Sequence, residues 1–99
     1  MMRLSQNKQM DRLMQAILSL QNEEECYKFF LDLCTINENI TFANRLEVAR
    51  QLSLGTTYLN ISEETENGSA IISRTKKCMQ YGNGGYQMVL ARLQSRSTK

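Results

Sequence analysis

The chain of 99 residues contains no histidine, no proline and no tryptophan. Without histidine it lacks the side chain most used as a general base near neutral pH and the commonest metal ligand. Glycine is scarce as well: of five, three fall together at Gly82, Gly84 and Gly85. So few turn formers argue against a sandwich or barrel and favour helices. The three cysteines, Cys26, Cys34 and Cys78, are odd in number and widely spaced. That pattern fits neither a disulfide framework nor a zinc site, and a reducing cytoplasm is the expected compartment. Long apolar runs are missing too. The richest stretch, Leu13–Leu20, is interrupted by Gln15 and Ser19, so no membrane span is expected. The opening MMRLSQNKQM has no apolar run after its charge, so no signal peptide is expected. Glu23–Glu25 are consecutive residues and point in different directions along a helix, which suits a solvated first turn better than a catalytic pair. An enzyme is the least expected class, and no metal is expected.

Acid is also absent from one end. Residues 1–68 hold six Lys/Arg and ten Asp/Glu, a net of −4, whereas residues 69–99 hold six Lys/Arg and no acid, a net of +6. The formal charge of +2 therefore conceals an acidic first part and a basic end.

What is present is helical periodicity, in a length that makes one domain. Met10, Leu13, Met14, Ile17 and Leu18 share a face over residues 8–20. Asn22 is placed to cap a second helix through Glu23–Glu25, which carries Cys26, Phe29, Phe30 and Leu33. Thr35 with Glu38 three residues later forms a capping-box signature. A third helix is predicted from Asn37 to Leu54, with Ile40, Ala43, Leu46, Val48, Ala49 and Leu52 as its apolar members and Gly55 as its end. Helix four is predicted over Thr57–Thr65, a turn at Asn67-Gly68, helix five over Ser69–Tyr81, and a last helix over Tyr86–Leu93. The expected architecture is all-α with six helices.

Residues 57–81 have the layout of a helix-turn-helix whose second helix enters the major groove of DNA. Wound at about 100° per residue, residues 69–81 gather Ile71, Ile72, Thr75, Cys78 and Met79 into one apolar arc. Ser69, Ala70, Ser73, Arg74, Lys76, Lys77 and Gln80 cover the remainder and are the expected DNA-contacting residues. Small residues near the helix N-terminus allow close approach to base edges, and the cations can neutralise phosphates. Two features of helix four oppose this: Glu63, Glu64 and Glu66 lie near the expected DNA path, and Leu59 falls opposite the Tyr58–Ile61 stripe.

Longer words sharpen the reading. ECYKFFLDLCTINE, then NRLEVARQL, then Gly55-Thr56-Thr57-Tyr58 through SAIISRTKKCMQYGN resemble, in this order, the short Trp-repressor-like proteins of the YerC/YecD type. The resemblance covers residues 8–93. It implies an intertwined homodimer, with dimerisation helices over 8–54 and 86–95 and helix five as the DNA reader. In the Trp repressor two arginines sandwich the bound indole. Arg45 and Arg74 match those positions, and Thr35 matches a further pocket residue. Thr75 stands where the repressor has glycine, and Cys78 where it has serine. The added side chain at Thr75 fills space a ligand needs, so no cofactor is expected, tryptophan or another small co-repressor being the exception to test. The plainer role for Arg45 is an ion pair with Glu38 or Glu47. The family turn Thr-Gly-Ala-Ser is here Thr65-Glu66-Asn67-Gly68, and a usual threonine of the reader helix is Ile71.

The leading expectation is therefore a cytoplasmic, homodimeric, duplex-DNA-binding regulator, a repressor by resemblance. The alternative is a small helical protein-interaction module without DNA binding.

Overall fold

A computed structural model describes residues 7–65 and 69–97. Among the described residues there are six helices and no strand: α1 (Lys8–Leu18), α2 (Glu23–Leu33), α3 (Ile36–Ser53), α4 (Tyr58–Thr65), α5 (Ser69–Tyr81) and α6 (Gly85–Ser97). The chain divides into two compact units between Asn39 and Ile40.

Caps set the limits of the N-terminal unit. Asn7 opens α1, its side chain accepting from the amides of Gln9 at 2.9 Å and Met10 at 3.2 Å. Asn22 opens α2 by accepting from the Glu25 amide at 2.9 Å, while the Glu25 carboxylate accepts from the Gln21 amide at 2.9 Å. Thr35 opens α3 with the expected reciprocal pair: its hydroxyl accepts from the Glu38 amide at 3.0 Å, and the Glu38 carboxylate accepts from the Thr35 amide at 2.8 Å. Neither α1 nor α2 has a buried residue. Leu18, Leu31 and Ile36 are 83%, 60% and 72% exposed. Phe29 and Phe30 meet edge-to-face at 5.6 Å, and the Asn39 amide donates to the Phe30 carbonyl at 3.1 Å.

The C-terminal unit holds the core. Val48 of α3, Ile61 of α4 and Ile72 of α5 are fully buried in one cluster, with Leu52 packed against it. Ala49 is the other fully buried apolar residue among those described. Gly55 ends α3 at φ +82°, a conformation that side chains resist. Two bonds then fix the chain's path into α4: the Thr56 amide donates to the Gln51 carbonyl at 3.1 Å, and the Thr56 hydroxyl donates to the Gln51 side chain at 2.9 Å. Thr57 caps α4, its hydroxyl accepting from the Asn60 amide at 3.3 Å. Between α5 and α6, a Cβ on Gly82 would clash with the Cys78 carbonyl oxygen, and Gly84 has φ +81°. The Gln87 side chain donates to the Met79 carbonyl and ties α6 back to α5.

Two predicted apolar faces need correction. In α3, Ile40 and Ala43 are exposed, while Val48 and Ala49 are buried and Leu46 and Leu52 half-buried. Only the second half of α3 carries residues of the buried cluster. In α5, Ile72 and Thr75 are buried and Met79 half-buried, but Ile71 and Cys78 are exposed. The latter two lie about 100° or more around the helix from Ile72, outside the arc that α3 and α4 cover. The expected turn at Glu66-Asn67-Gly68 lies outside the described residues.

Truncating Ile72 to alanine is expected to lower unfolding free energy by about 2–5 kcal/mol, because the three-helix cluster cannot close around the void. Urea denaturation at fixed protein concentration measures it. A loss below about 1 kcal/mol would show that this cluster is not the core.

Candidate nucleic-acid interface and adjoining cavity

Helix α5 has three sides with different neighbours. Ile72 and Thr75 face the buried cluster and the helices that form it. A second side carries Ser73, Lys76, Lys77 and Gln80, all exposed and none of them in the lining of the cavity described below. Lys76 is additionally held against α4: its Nζ lies 5.4 Å from the centroid of the Tyr58 ring, a cation–π contact. Ser69 is the first residue of this helix. The second side is thus polar at Ser73 and Gln80 and cationic at Lys76 and Lys77, which suits a groove-facing surface.

The third side opens onto a cavity of about 390 Å³ lined by Thr41 and Arg45 of α3, Ala70, Ile71, Arg74, Thr75 and Cys78 of α5, and Tyr86 of α6. The exposed edges of Ile71 and Cys78 are accounted for here. The sequence-derived DNA set therefore splits. Ala70 and Arg74 turn to the cavity, at i and i+4 on one helical face. Ser73, Lys76, Lys77 and Gln80 do not.

Of the ligand set expected from the resemblance, Arg45 and Arg74 line the same cavity. Thr35 lies in the N-terminal unit, where its hydroxyl and amide are used by the α3 cap. The expected ion pair of Arg45 with Glu38 or Glu47 is absent among the described residues. Arg50 takes Glu47 instead, through two bonds at 2.8 and 2.9 Å, because residues three apart are neighbours on a helix. Gln51 adds a third donor to the same carboxylate at 2.9 Å. Hydrogen bonds from Arg50 and then Gln51 bring the Glu47 carboxyl down from 4.5 to about 2, against a smaller opposing effect of burial.

No acidic side chain is among the residues lining this cavity. Thr75 is 3% exposed, and among the described residues its hydroxyl has no hydrogen-bond partner. An apolar ring laid on α5 at Thr75 would leave that hydroxyl buried and unsatisfied.

Sequence reasoning missed several participants. Thr41 stands one turn before Arg45, so the i, i+4 relation was available to find it. Tyr86 and the Tyr58–Lys76 contact join residues far apart in the chain, and no local pattern signals them. Among the described residues no cluster of His, Cys, Asp or Glu is placed to hold a metal, and no helix is long and apolar enough to cross a membrane.

Comparison with known proteins bears on this geometry. A family model for the Trp repressor protein matches residues 8–94. The uncharacterized protein YerC of Bacillus subtilis strain 168 is 52% identical over 92 residues, which cover 93% of this chain and 88% of that one. The crystal structure of a Trp-repressor candidate from Staphylococcus aureus superposes with a TM-score of 0.89 at 43% identity, covering 95% of this chain and 96% of the other. A TrpR-like protein from Eubacterium eligens ATCC 27750 gives a TM-score of 0.86 at 46% identity, covering 88% and 90%.

The Glu47 cluster generates a pH prediction. Its folded value lies below the unfolded one, so its stabilisation is present above about pH 4.5 and is lost as pH falls towards about 2. The pair is more than a third exposed, at 49% and 39%, so screening holds the effect to about 1 kcal/mol or less. Denaturation curves of Glu47→Gln and the parent chain should differ at pH 7 and converge at pH 2. A difference that persists undiminished at pH 2 would contradict this.

Proposed function

This chain belongs to the Trp repressor protein family, and from that premise we propose that it is a transcriptional regulator binding duplex DNA as a homodimer, with α5 in the major groove. The observation that carries the reading is the outer side of α5. It presents Ser73, Lys76, Lys77 and Gln80 on a helix packed against α4 through Ile61 and Ile72. Residues 69–99 contain no acid to oppose a phosphate backbone. Lys77 and Lys76 act on phosphates, Ser73 meets base edges, and the backbone amides opening α5 favour a phosphate.

Homodimer formation is supported by what single chains leave exposed. The N-terminal unit buries no residue of α1 or α2, yet presents Leu18, Leu31, Leu33 and Ile36 to solvent. A second copy offers the same faces in return, which is how a two-fold interface is made. Two-fold symmetry would set the two α5 helices about 34 Å apart on a pseudo-palindromic site. Repression and a cytoplasmic location belong to the same reading.

The interaction-module alternative draws on α4, where Leu59 is 68% exposed and Glu63 is exposed. Selection of DNA sequences by the purified protein separates the two. An enriched palindrome supports the regulator. No affinity for any DNA at low salt, with capture of a defined protein partner, supports the module.

On the selected site, Lys77→Ala should weaken binding across sequences and reduce the slope of log K against log salt by about 0.9 per subunit, hence nearly two for a dimer. Ser73→Glu should abolish binding while leaving the helical circular dichroism intact. An unchanged salt slope in the first variant, or retained affinity in the second, would remove α5 from the interface.

A further inference from the structure

A lysine on a helix surface ordinarily wanders. Its long flexible stem carries the ammonium through solvent, and fixing that stem against a ligand costs entropy. The two lysines on the outer side of α5 differ in this respect. Lys77 makes no ion pair, side-chain hydrogen bond or ring contact among the described residues. Lys76 has its Nζ 5.4 Å from the centroid of the Tyr58 ring. Among the described side chains no Asp or Glu pairs with it.

The core dictates this contact. Tyr58 stands three residues before Ile61 on α4, and Lys76 four residues after Ile72 on α5, so each shares a helical face with its isoleucine. Ile61 and Ile72 are fully buried in one cluster. Packing the two helices there brings Tyr58 and Lys76 together one turn away, at the wet edge: Tyr58 is 40% exposed, and Lys76 is exposed. Thr57 caps the start of α4 immediately before the tyrosine. A ring is a particular kind of partner for a cation. Its face attracts the ammonium through the ring quadrupole but, unlike a carboxylate, cancels no charge. At an exposed site such a contact adds little stability, so its larger consequence is where it leaves the charge. The ammonium is held, remains fully cationic, and has donors to offer an anion.

We propose that Tyr58 is a positioning residue for duplex-DNA binding: its ring holds the Lys76 ammonium in one place on the outer side of α5, where a backbone phosphate meets it. The proposal rests on the reading of α5 as the DNA-facing helix. The two adjacent lysines carry equal charge but differ in ordering cost. That of Lys76 is met within the folded chain before DNA arrives, whereas Lys77 is ordered on contact. Phosphate contacts fix register and carry no sequence information, so Tyr58 acts on affinity for every sequence alike.

Two experiments on the full chain test it. In the free protein, proton NMR should show the Lys76 ε-methylene shifted upfield by the ring current of Tyr58. The shift should persist in Tyr58→Phe and vanish in Tyr58→Leu. On the selected DNA site, Tyr58→Phe, which keeps the ring, should bind within about 2-fold of the parent. Tyr58→Leu should weaken binding about 3-fold per subunit, hence about 10-fold for a dimer, with the salt slope retained because the charge remains. In a Lys76→Met background the same Tyr58→Leu change should weaken binding by less than about 2-fold, since the ring has lost the group it holds. That non-additivity separates positioning from a general weakening of α4, which would persist without Lys76. A missing ring-current shift in the parent, a loss in Tyr58→Phe equal to that in Tyr58→Leu, full affinity in Tyr58→Leu, or an undiminished loss in the Lys76→Met background would each overturn the proposal while leaving α5 as the reader. Failure of the wider reading looks different: the parent itself would show no salt-dependent affinity for any DNA with the ring-current shift intact, and that result would overturn both.

Discussion

The contact among Val48, Ile61 and Ile72 is the constraint on which the C-terminal unit depends. These three side chains come from three successive helices and have no solvent exposure. Fixing Ile72 against Ile61 fixes the rotation of α5 on α4. Once that rotation is set, every other residue of α5 is assigned a side, because successive residues advance by about 100°. Thr75 and Met79 follow Ile72 inward. Ser73, Lys77 and Gln80 are turned out. Ile71, Arg74 and Cys78 are turned to the cavity. A rotation of α5 by one residue that carried Arg74 out would drive Ser73 into the place of Ile72 in the core, so one apolar contact determines both the charge presented outward and the chemistry of the cavity.

The same core is small. Four fully buried apolar residues, Val48, Ala49, Ile61 and Ile72, are few for the six helices described. Caps and turns supply the local definition that burial does not: Asn7, Asn22 and Thr35 at helix starts, and the run Arg50–Glu47–Gln51–Thr56 at the α3–α4 corner. Such bonds specify where helices begin and end, but each contributes only about 1 kcal/mol. The exposed apolar residues of α1 and α2 are a source of hydrophobic stabilisation that the proposed homodimer would bury.

Much of this was legible in the sequence because its determinants are local. Asn22 and the Thr35–Glu38 box announced two helix starts, Gly55 a helix end, and the turn formers Asn67-Gly68 and Gly82–Gly85 in the sequence bracketed α5. The last helix runs on to Ser97 rather than stopping at Leu93, since nothing between them breaks a helix. What failed was the division of a helix surface into sides. Apolar spacing placed Ile71 and Cys78 inward with Ile72, yet depth depends on which neighbours cover each arc, and that is a tertiary fact. Arg74, expected both among the DNA contacts and beside Arg45, lines one cavity with Arg45 and Tyr86. Arg45 itself was given a local acid, and a nearer cation, Arg50, holds that acid.

The central claim is that two copies of α5 present their outer sides to successive major grooves. Hydroxyl-radical footprinting on a selected DNA site tests it most directly. The account predicts two protected patches on one face of the duplex, related by two-fold symmetry and separated by about one helical turn, 10–10.5 base pairs. A single unsymmetrical patch, or protection confined to the minor groove, would contradict it.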